Sequence, residues 1–268
     1  MRRRSQLFVP AISEKMIRKS TELEADSIIF DLEDSVPYED KDKAREILRK
    51  SLEELQWKNK ELCVRINNLG TKEGLKDLVL ISEIEIDTIV IPKAEGNLSF
   101  VYRSTGKNIE PLVETAKGFI DIENLVRSEG IVSISYGAAD ISLSTGGEVK
   151  TYENNEYVKT KIVMYAKAYG IDPIDKVFFD LKDLKGFEEE CLHAKKLGYV
   201  GKQVIHPSQI PISNSVFSPT KEEIEWAKKV IEAYENAIKE GRGAIRLEDK
   251  LIDNVHYAIA KKIVKDYG

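Results

Sequence analysis

The stretch IEPLVETAKGFIDIENLVRSEGIVSISYGAAD (109–140) contains one turn of the pattern that decides the fold. IEPLVE (109–114) is a short apolar run that ends on a carboxylate. AKGFIDIENLVRSE (116–129) spaces its apolar residues for one face of a helix, and SISYGAAD (133–140) returns to a β-like run that again ends on an acid. Moving outward, the same alternation appears on both sides. QLFVP (6–10), SIIFDLE (27–33), LCVRIN (62–67) and TIVIPK (88–93) precede it; DPIDKV (172–177) and GKQVIH (201–206) follow. Amphipathic segments such as DKAREILRKSLEEL and EYVKTKIVMYAKAYG lie between them. Eight strands, each followed by a helix, predict an α/β protein of the (β/α)8 TIM barrel type. An open doubly wound sheet is the alternative, but it would carry a Gly-rich phosphate turn after its first strand, and here that turn reads FVPAISEK.

Beyond the eighth strand the character changes. PSQIPISNSVFSPT (207–220) reads as a connector. A long helix follows, capped by Ser218 or Thr220, with Glu222 and Glu223 in its first turn and Gly241 and Gly243 at its end. The turn RLEDKLID then leads to a last helix, VHYAIAKKIVKDY. The expected organisation is a barrel core over 1–215 and a C-terminal helical lid or appendage over 216–268, one domain overall.

The chain has 268 residues, 42% of them hydrophobic, enough for one substantial core. Its charged residues are mixed in sign with a net charge of −5, a poor match to a nucleic-acid binder. No apolar run is long enough to span a membrane, and the apolar segment after MRRR is too short for a secretory signal. Cys63 and Cys191 show no CxxC spacing, so reduced thiols and a cytoplasmic location are expected. His193, His206 and His256 show no HxxxH pairing; His206, without a partner, reads as a rim residue that stacks or hydrogen-bonds.

Residues i and i+2 of a strand share a face. By that rule the strand ends present Asp31 with Glu33, Arg65 with Asn67, Lys93, Leu112 with Glu114, Gly137 with Asp140, Asp175, and His206. Barrel active sites are built at this rim. Glu114 and Asp140, with Asp31, Glu33 and Asp34 nearby, supply hard oxygen ligands of the kind Mg²⁺ takes, alongside waters and substrate oxygens. Arg65 offers a bidentate partner for a substrate carboxylate. A divalent cation beside a guanidinium suits a 2-keto acid, and the cation also stabilises the oxyanion that develops in carbon–carbon cleavage.

At these residues the sequence resembles the citrate lyase β-subunit-like branch of the HpcH/HpaI aldolase superfamily. The resemblance runs through RSQLFVPAISEKMIRKS, SIIFDLEDSVPYEDKDKAR, CVRINNLGT, IPKAEG, PLVETAKGF, YGAADIS, GKQVIHPSQI and GRGAIRLEDKLID, in that order and over nearly the whole chain. It implies a carbon–carbon lyase acting on a CoA thioester, with Mg²⁺ (or Mn²⁺) held by Glu114 and Asp140 and the keto-acid carboxylate held by Arg65. It further implies Phe8, Lys15 and Lys19 against the CoA thioester or its phosphates, Asp31 and Glu33 around the metal, and Asp253 on the C-terminal lid as general acid/base. It implies a homotrimer or hexamer whose lid reaches a neighbouring subunit. The chain departs from the family pattern at Ala11, where glycine is common, and after Asp253, where Asn254 and Val255 stand in place of a nearby proline. Three other readings stay open here: the β-subunit of a citrate lyase complex with partner subunits, a 2-keto-acid aldolase that ignores CoA, and a non-catalytic barrel serving assembly.

Overall fold

The computed structural model describes residues 1–267 and divides into two compact units, Met1–Phe217 and the residues from Ser218 onward. The first unit is a closed barrel of eight parallel strands in sequential order. They are β1 (Ser5–Pro10), β2 (Ser27–Asp31), β3 (Glu61–Arg65), β4 (Thr88–Ile91), β5 (Asn108–Val113), β6 (Ser133–Tyr136), β7 (Asp172–Asp175) and β8 (Gly201–Val204). The (β/α)8 expectation is met.

Each strand has two buried faces, which is why β1 to β4 read as mostly apolar runs rather than as a clean alternation. The outward face, with Ile28, Phe30, Val64, Ile89, Ile109 and Ile134, packs on helix residues such as Ile17, Leu48, Ile81, Leu125, Ile162 and Phe187. Each fully buried aliphatic side chain there contributes about 1.5–3 kcal/mol.

The inward face is layered. At the floor, Glu61 accepts from Arg3 (Nη2–Oε1 2.7 Å), from Ser27 Oγ (2.7 Å) and from Thr88 Oγ1 (2.8 Å). Above it, Glu110 on β5 accepts from Gln6 on β1 and Gln203 on β8. Strands β1 and β5 stand on opposite sides of the ring, so such a bond crosses the lumen. Ile29, Cys63, Val90 and Leu112, with Phe8, form an apolar plug. The rim lies above that plug.

Several expected boundaries move, with consequences for the site. The strands end earlier than their sequence runs. Asp140 lies in the first turn of the helix Ala138–Thr145, not on a strand, where an acid is favoured by the helix dipole. The connector contains a helix, Gln209–Val216, that buries Ile210, Ser213 and Val216; its Pro211 falls in the first turn, where no N–H is needed.

The second unit pairs the helices Lys221–Lys239 and Asn254–Tyr267 with an antiparallel hairpin, β9 (Ile245–Leu247) and β10 (Lys250–Ile252). Thr220 caps the first helix in a capping box with Glu223. Ala227, Val230, Tyr234, Ile252 and Ala260 form its small core.

Candidate active site

A cavity of about 430 Å³ opens at the C-terminal end of the strands, lined among others by Phe8, Asp31, Arg65, Glu114, Asp140 and Gln203. Register sets its centre. Asp31 and Arg65 are cross-strand partners at the ends of β2 and β3, and the guanidinium grips the carboxylate with Nε–Oδ1 at 2.7 Å and Nη2–Oδ2 at 2.8 Å. The Asp31 oxygens also accept the backbone N–H groups of Glu33 (2.9 Å) and Ser35 (3.0 Å). Burial alone would raise the Asp31 pKa; the Arg65 hydrogen bond and charge outweigh it and hold the carboxyl below its usual range. Arg65 lies over the Phe8 ring at 4.9 Å, a cation–π contact that fixes the guanidinium plane. Its Nη1 approaches Glu33 at 3.3 Å and Asp34 at 3.4 Å.

Glu114 stands one residue past β5 and takes the backbone N–H of Lys93 at 2.9 Å. Lys93 reaches that position with φ of +48°, a left-handed conformation that costs a non-glycine residue about 1 kcal/mol or more. Its ammonium sits 2.9 Å from Glu33 Oε1 and 3.8 Å from Asp140 Oδ1. Gly137 is required beside it, because a Cβ there would fall 2.9 Å from Glu114 Oε1. Burial pushes the Glu114 carboxyl up to about 7, reinforced by the charges of Glu33 and Asp140. Burial likewise raises Glu33. Glu33 Oε2, although near Arg65 Nη1, is buried without a hydrogen-bond partner. This rim therefore holds more carboxylate than its own cations satisfy, and a hard cation would relieve the excess. Among the described residues no three His, Cys, Asp or Glu side chains form a complete metal cage. Glu114 and Asp140 both line the cavity.

Phe8, Asp31, Arg65, Glu114 and Asp140 all line one cavity, and Glu33 is bound to its wall through Arg65 and Lys93. Other expectations fall elsewhere. On the helix Glu14–Ser20 it is Met16, not Lys15 or Lys19, that lines the cavity; Lys19 pairs with Glu22 at 2.6 Å. Asp175 does not face the lumen. It lies on the outward face of β7, buried against Lys202 (2.6 Å) and Lys159 (3.5 Å). Asn67 lies past the end of β3 and turns behind the rim to bond Asp77 at 2.7 Å. His206 bonds Ser208 (2.8 Å), while its neighbour Ile205 lines the cavity. Asp253 belongs to the second unit. It caps the last helix through the N–H groups of Val255 (3.0 Å) and His256 (3.2 Å) and pairs with the His256 ring at 2.7 Å. The His256 contact leads in holding its carboxyl below the usual range. Gln203 and Tyr136 also line the cavity and were not anticipated; a glutamine next to a valine in the last barrel strand, GKQV, was the available signal for the first.

The model of the HpcH/HpaI aldolase/citrate lyase family matches residues 4–100 and 104–207. The chain belongs to this family. It is 31% identical over 263 residues to a (3S)-malyl-CoA thioesterase of Cereibacter sphaeroides, covering 97% of this chain and 92% of that one. It is 32% identical over 287 residues to the mitochondrial citramalyl-CoA lyase of Rattus norvegicus, covering 98% and 85%. Among solved structures, the CitE protein of Mycobacterium tuberculosis, in complex with magnesium, acetoacetate and coenzyme A, superposes with a TM-score of 0.81 at 28% identity, covering 97% of this chain and 96% of that one. As a member of the family, this chain is a lyase.

Proposed function

We propose that the chain is a Mg²⁺-dependent carbon–carbon lyase. Its substrate would be a 3-hydroxyacyl-CoA thioester with a carboxylate on the hydroxyl-bearing carbon, which it cleaves to a shorter acyl-CoA and a 2-keto acid. The observation that carries this reading is the convergence of Arg65, Glu114 and Asp140, from three separate stretches of chain, on one cavity. The relatives named for CoA-thioester chemistry and the magnesium- and coenzyme A-bound neighbour support the same chemistry.

Glu114 and Asp140 would hold the Mg²⁺, which when bound supplies Lewis-acid stabilisation of developing oxyanion charge. Arg65, its plane fixed by Asp31 and Phe8, would orient the substrate carboxylate. The hydroxyl proton leaves to a base, the electrons of the carbon–carbon bond pass onto the thioester carbonyl, and the resulting enolate carbon takes a proton. Asp253, carried by another copy's second unit in the proposed oligomer, would take the first proton and return it to the carbon. Lys15 and Lys19, exposed on the helix whose Met16 lines the cavity, would meet the CoA phosphates. Exposed Leu251, Val255 and Ile259 support the second unit docking on another copy in a homotrimer or hexamer.

The test is turnover of malyl-, citramalyl- and citryl-CoA with and without Mg²⁺, following keto acid and free thiol separately. Keto-acid release abolished by chelation and by Asp140→Ala supports the proposal. Thiol release without keto acid would replace it with thioester hydrolysis, the activity named for the Cereibacter relative.

A further inference from the structure

The cavity floor carries a device the lyase chemistry does not use. Gln203 is buried on β8 and lines the cavity, and its Nε2 donates to Glu110 Oε1 at 3.0 Å. Glu110 is fully buried, and its other oxygen accepts from Gln6 Nε2 (2.6 Å) and Ser133 Oγ (2.5 Å). Burial pushes its pKa up against the pull of the Gln6 and Ser133 hydrogen bonds on Oε2, while Oε1 faces only the Gln203 amide and accepts from it. An amide beside such a group can offer it only the NH2 end. Gln203 is therefore locked with Nε2 directed at Glu110, and Oε1 is the amide atom left to the cavity. The floor presents an acceptor flanked by the apolar Phe8, Leu112 and Ile205.

The charges around the cavity are equally one-sided. Asp31, Asp34, Glu114 and Asp140 line it, and its lining cations are Arg65 and Lys176. Both oxygens of Glu190 hold the Lys176 ammonium, at 2.9 and 3.0 Å. Arg65 commits Nε and Nη2 to Asp31. Its remaining Nη1 already lies 3.3 Å from Glu33 and 3.4 Å from Asp34, so this single edge can serve at most one substrate carboxylate, in competition with those two. A second carboxylate finds no further cation among the lining side chains, and the Gln203 Oε1 on the floor is an acceptor that cannot donate to it. An unpaired charge in such a place is strongly disfavoured.

We propose that this cavity selects a 2-keto acid bearing a single carboxylate and a hydrogen or alkyl arm, of the glyoxylate or pyruvate kind, and rejects a dicarboxylate such as oxaloacetate, with Glu110 as the positioning residue that fixes the Gln203 amide for that purpose. The proposal deepens the lyase reading and rests on it for the identity of the site's ligand. It places malyl- and citramalyl-CoA ahead of citryl-CoA as substrates.

The experiment measures binding of glyoxylate, pyruvate and freshly dissolved oxaloacetate to the whole protein with Mg²⁺ by calorimetry, beside kcat/KM for the three thioesters. The monocarboxylates bind at least about tenfold tighter, and citryl-CoA turns over about a hundredfold or more below the better of the other two. Glu110→Gln frees the Gln203 amide to turn its NH2 toward the cavity. Gln6, whose Oε1 has no partner, can turn to accept the new amide. That variant narrows the oxaloacetate-to-pyruvate gap by about tenfold. Should it not fold, Gln203→Met removes the acceptor and narrows the gap in the same direction. Oxaloacetate binding as tightly as pyruvate, or a gap unchanged in a folded variant, overturns the proposal. A binding preference as expected with no thioester cleaved overturns the lyase reading and leaves the selectivity standing.

Discussion

Replacing Glu114 by glutamine should make the metal-free protein more stable at pH 8, not less. Glu114 is buried beside Glu33 and Asp140, and its carboxyl is pushed up from an ordinary 4.5 to about 7. The folded state then keeps a proton that the unfolded chain has already released. Stability is lost as pH rises from the unfolded value through about 7, and above that the full cost is present. A gap of that size corresponds to about 3 kcal/mol. Glutamine retains an oxygen for the Lys93 N–H, a bond of 2.9 Å in the parent, and cannot ionise. In chelator at pH 8 the variant should gain up to about 3 kcal/mol, or roughly 5–10 °C in the melting of the barrel unit. The advantage should shrink on acidification and vanish near pH 4.5. Added Mg²⁺ reverses the order. The parent gains about 2.7 kcal/mol at a hundred times its dissociation constant, and the variant gains little. Thermal and urea melts across pH 5–8, with chelator and with Mg²⁺, read all of this. A Glu114→Gln protein less stable than its parent in chelator at pH 8 would refute the reasoning, because it would show the carboxylate already satisfied by the chain itself.

Arg65→Lys keeps the charge but loses the pair of hydrogen bonds to Asp31, and kcat/KM should fall about 10²–10³-fold with the fold intact, as measured by steady-state kinetics beside circular dichroism. Lys93→Met removes an ammonium that competes for Glu33 and Asp140; titration calorimetry should show Mg²⁺ binding about tenfold tighter, and weaker binding would count against the competition. Gly137→Ala drives a methyl against Glu114; the barrel should stay folded while Mg²⁺ affinity drops, read in the same titration.

The barrel was legible from the chain because each of its strands is buried on both faces and each crossover is an amphipathic helix. Arg65 and Glu114 were legible because barrel chemistry collects at strand ends. The failures share one cause. Extending the alternation gives Asn67 and Asp175 a lumen face, yet β3 ends at Arg65, and Asp175 falls on the opposite phase of β7 from the lumen residues. Period-2 reasoning is only as good as the strand limits, and a slip of one residue exchanges the two faces. Asp140 reached the cavity all the same, but from a helix turn. On the helix Glu14–Ser20 the phase turns Met16 to the cavity and leaves Lys15 and Lys19 exposed.

By itself, the order of residues determined the fold type, the family and a rim rich in hard oxygen ligands beside one guanidinium, because periodicity and strand-end chemistry are local properties written along the chain. Only the closed barrel decided which carboxylate Arg65 grips, that Lys93 takes a left-handed turn to reach Glu114, and that Glu110 holds Gln203 from across the lumen. Those outcomes depend on register, curvature and the burial of charge, quantities that exist only once distant segments are brought together.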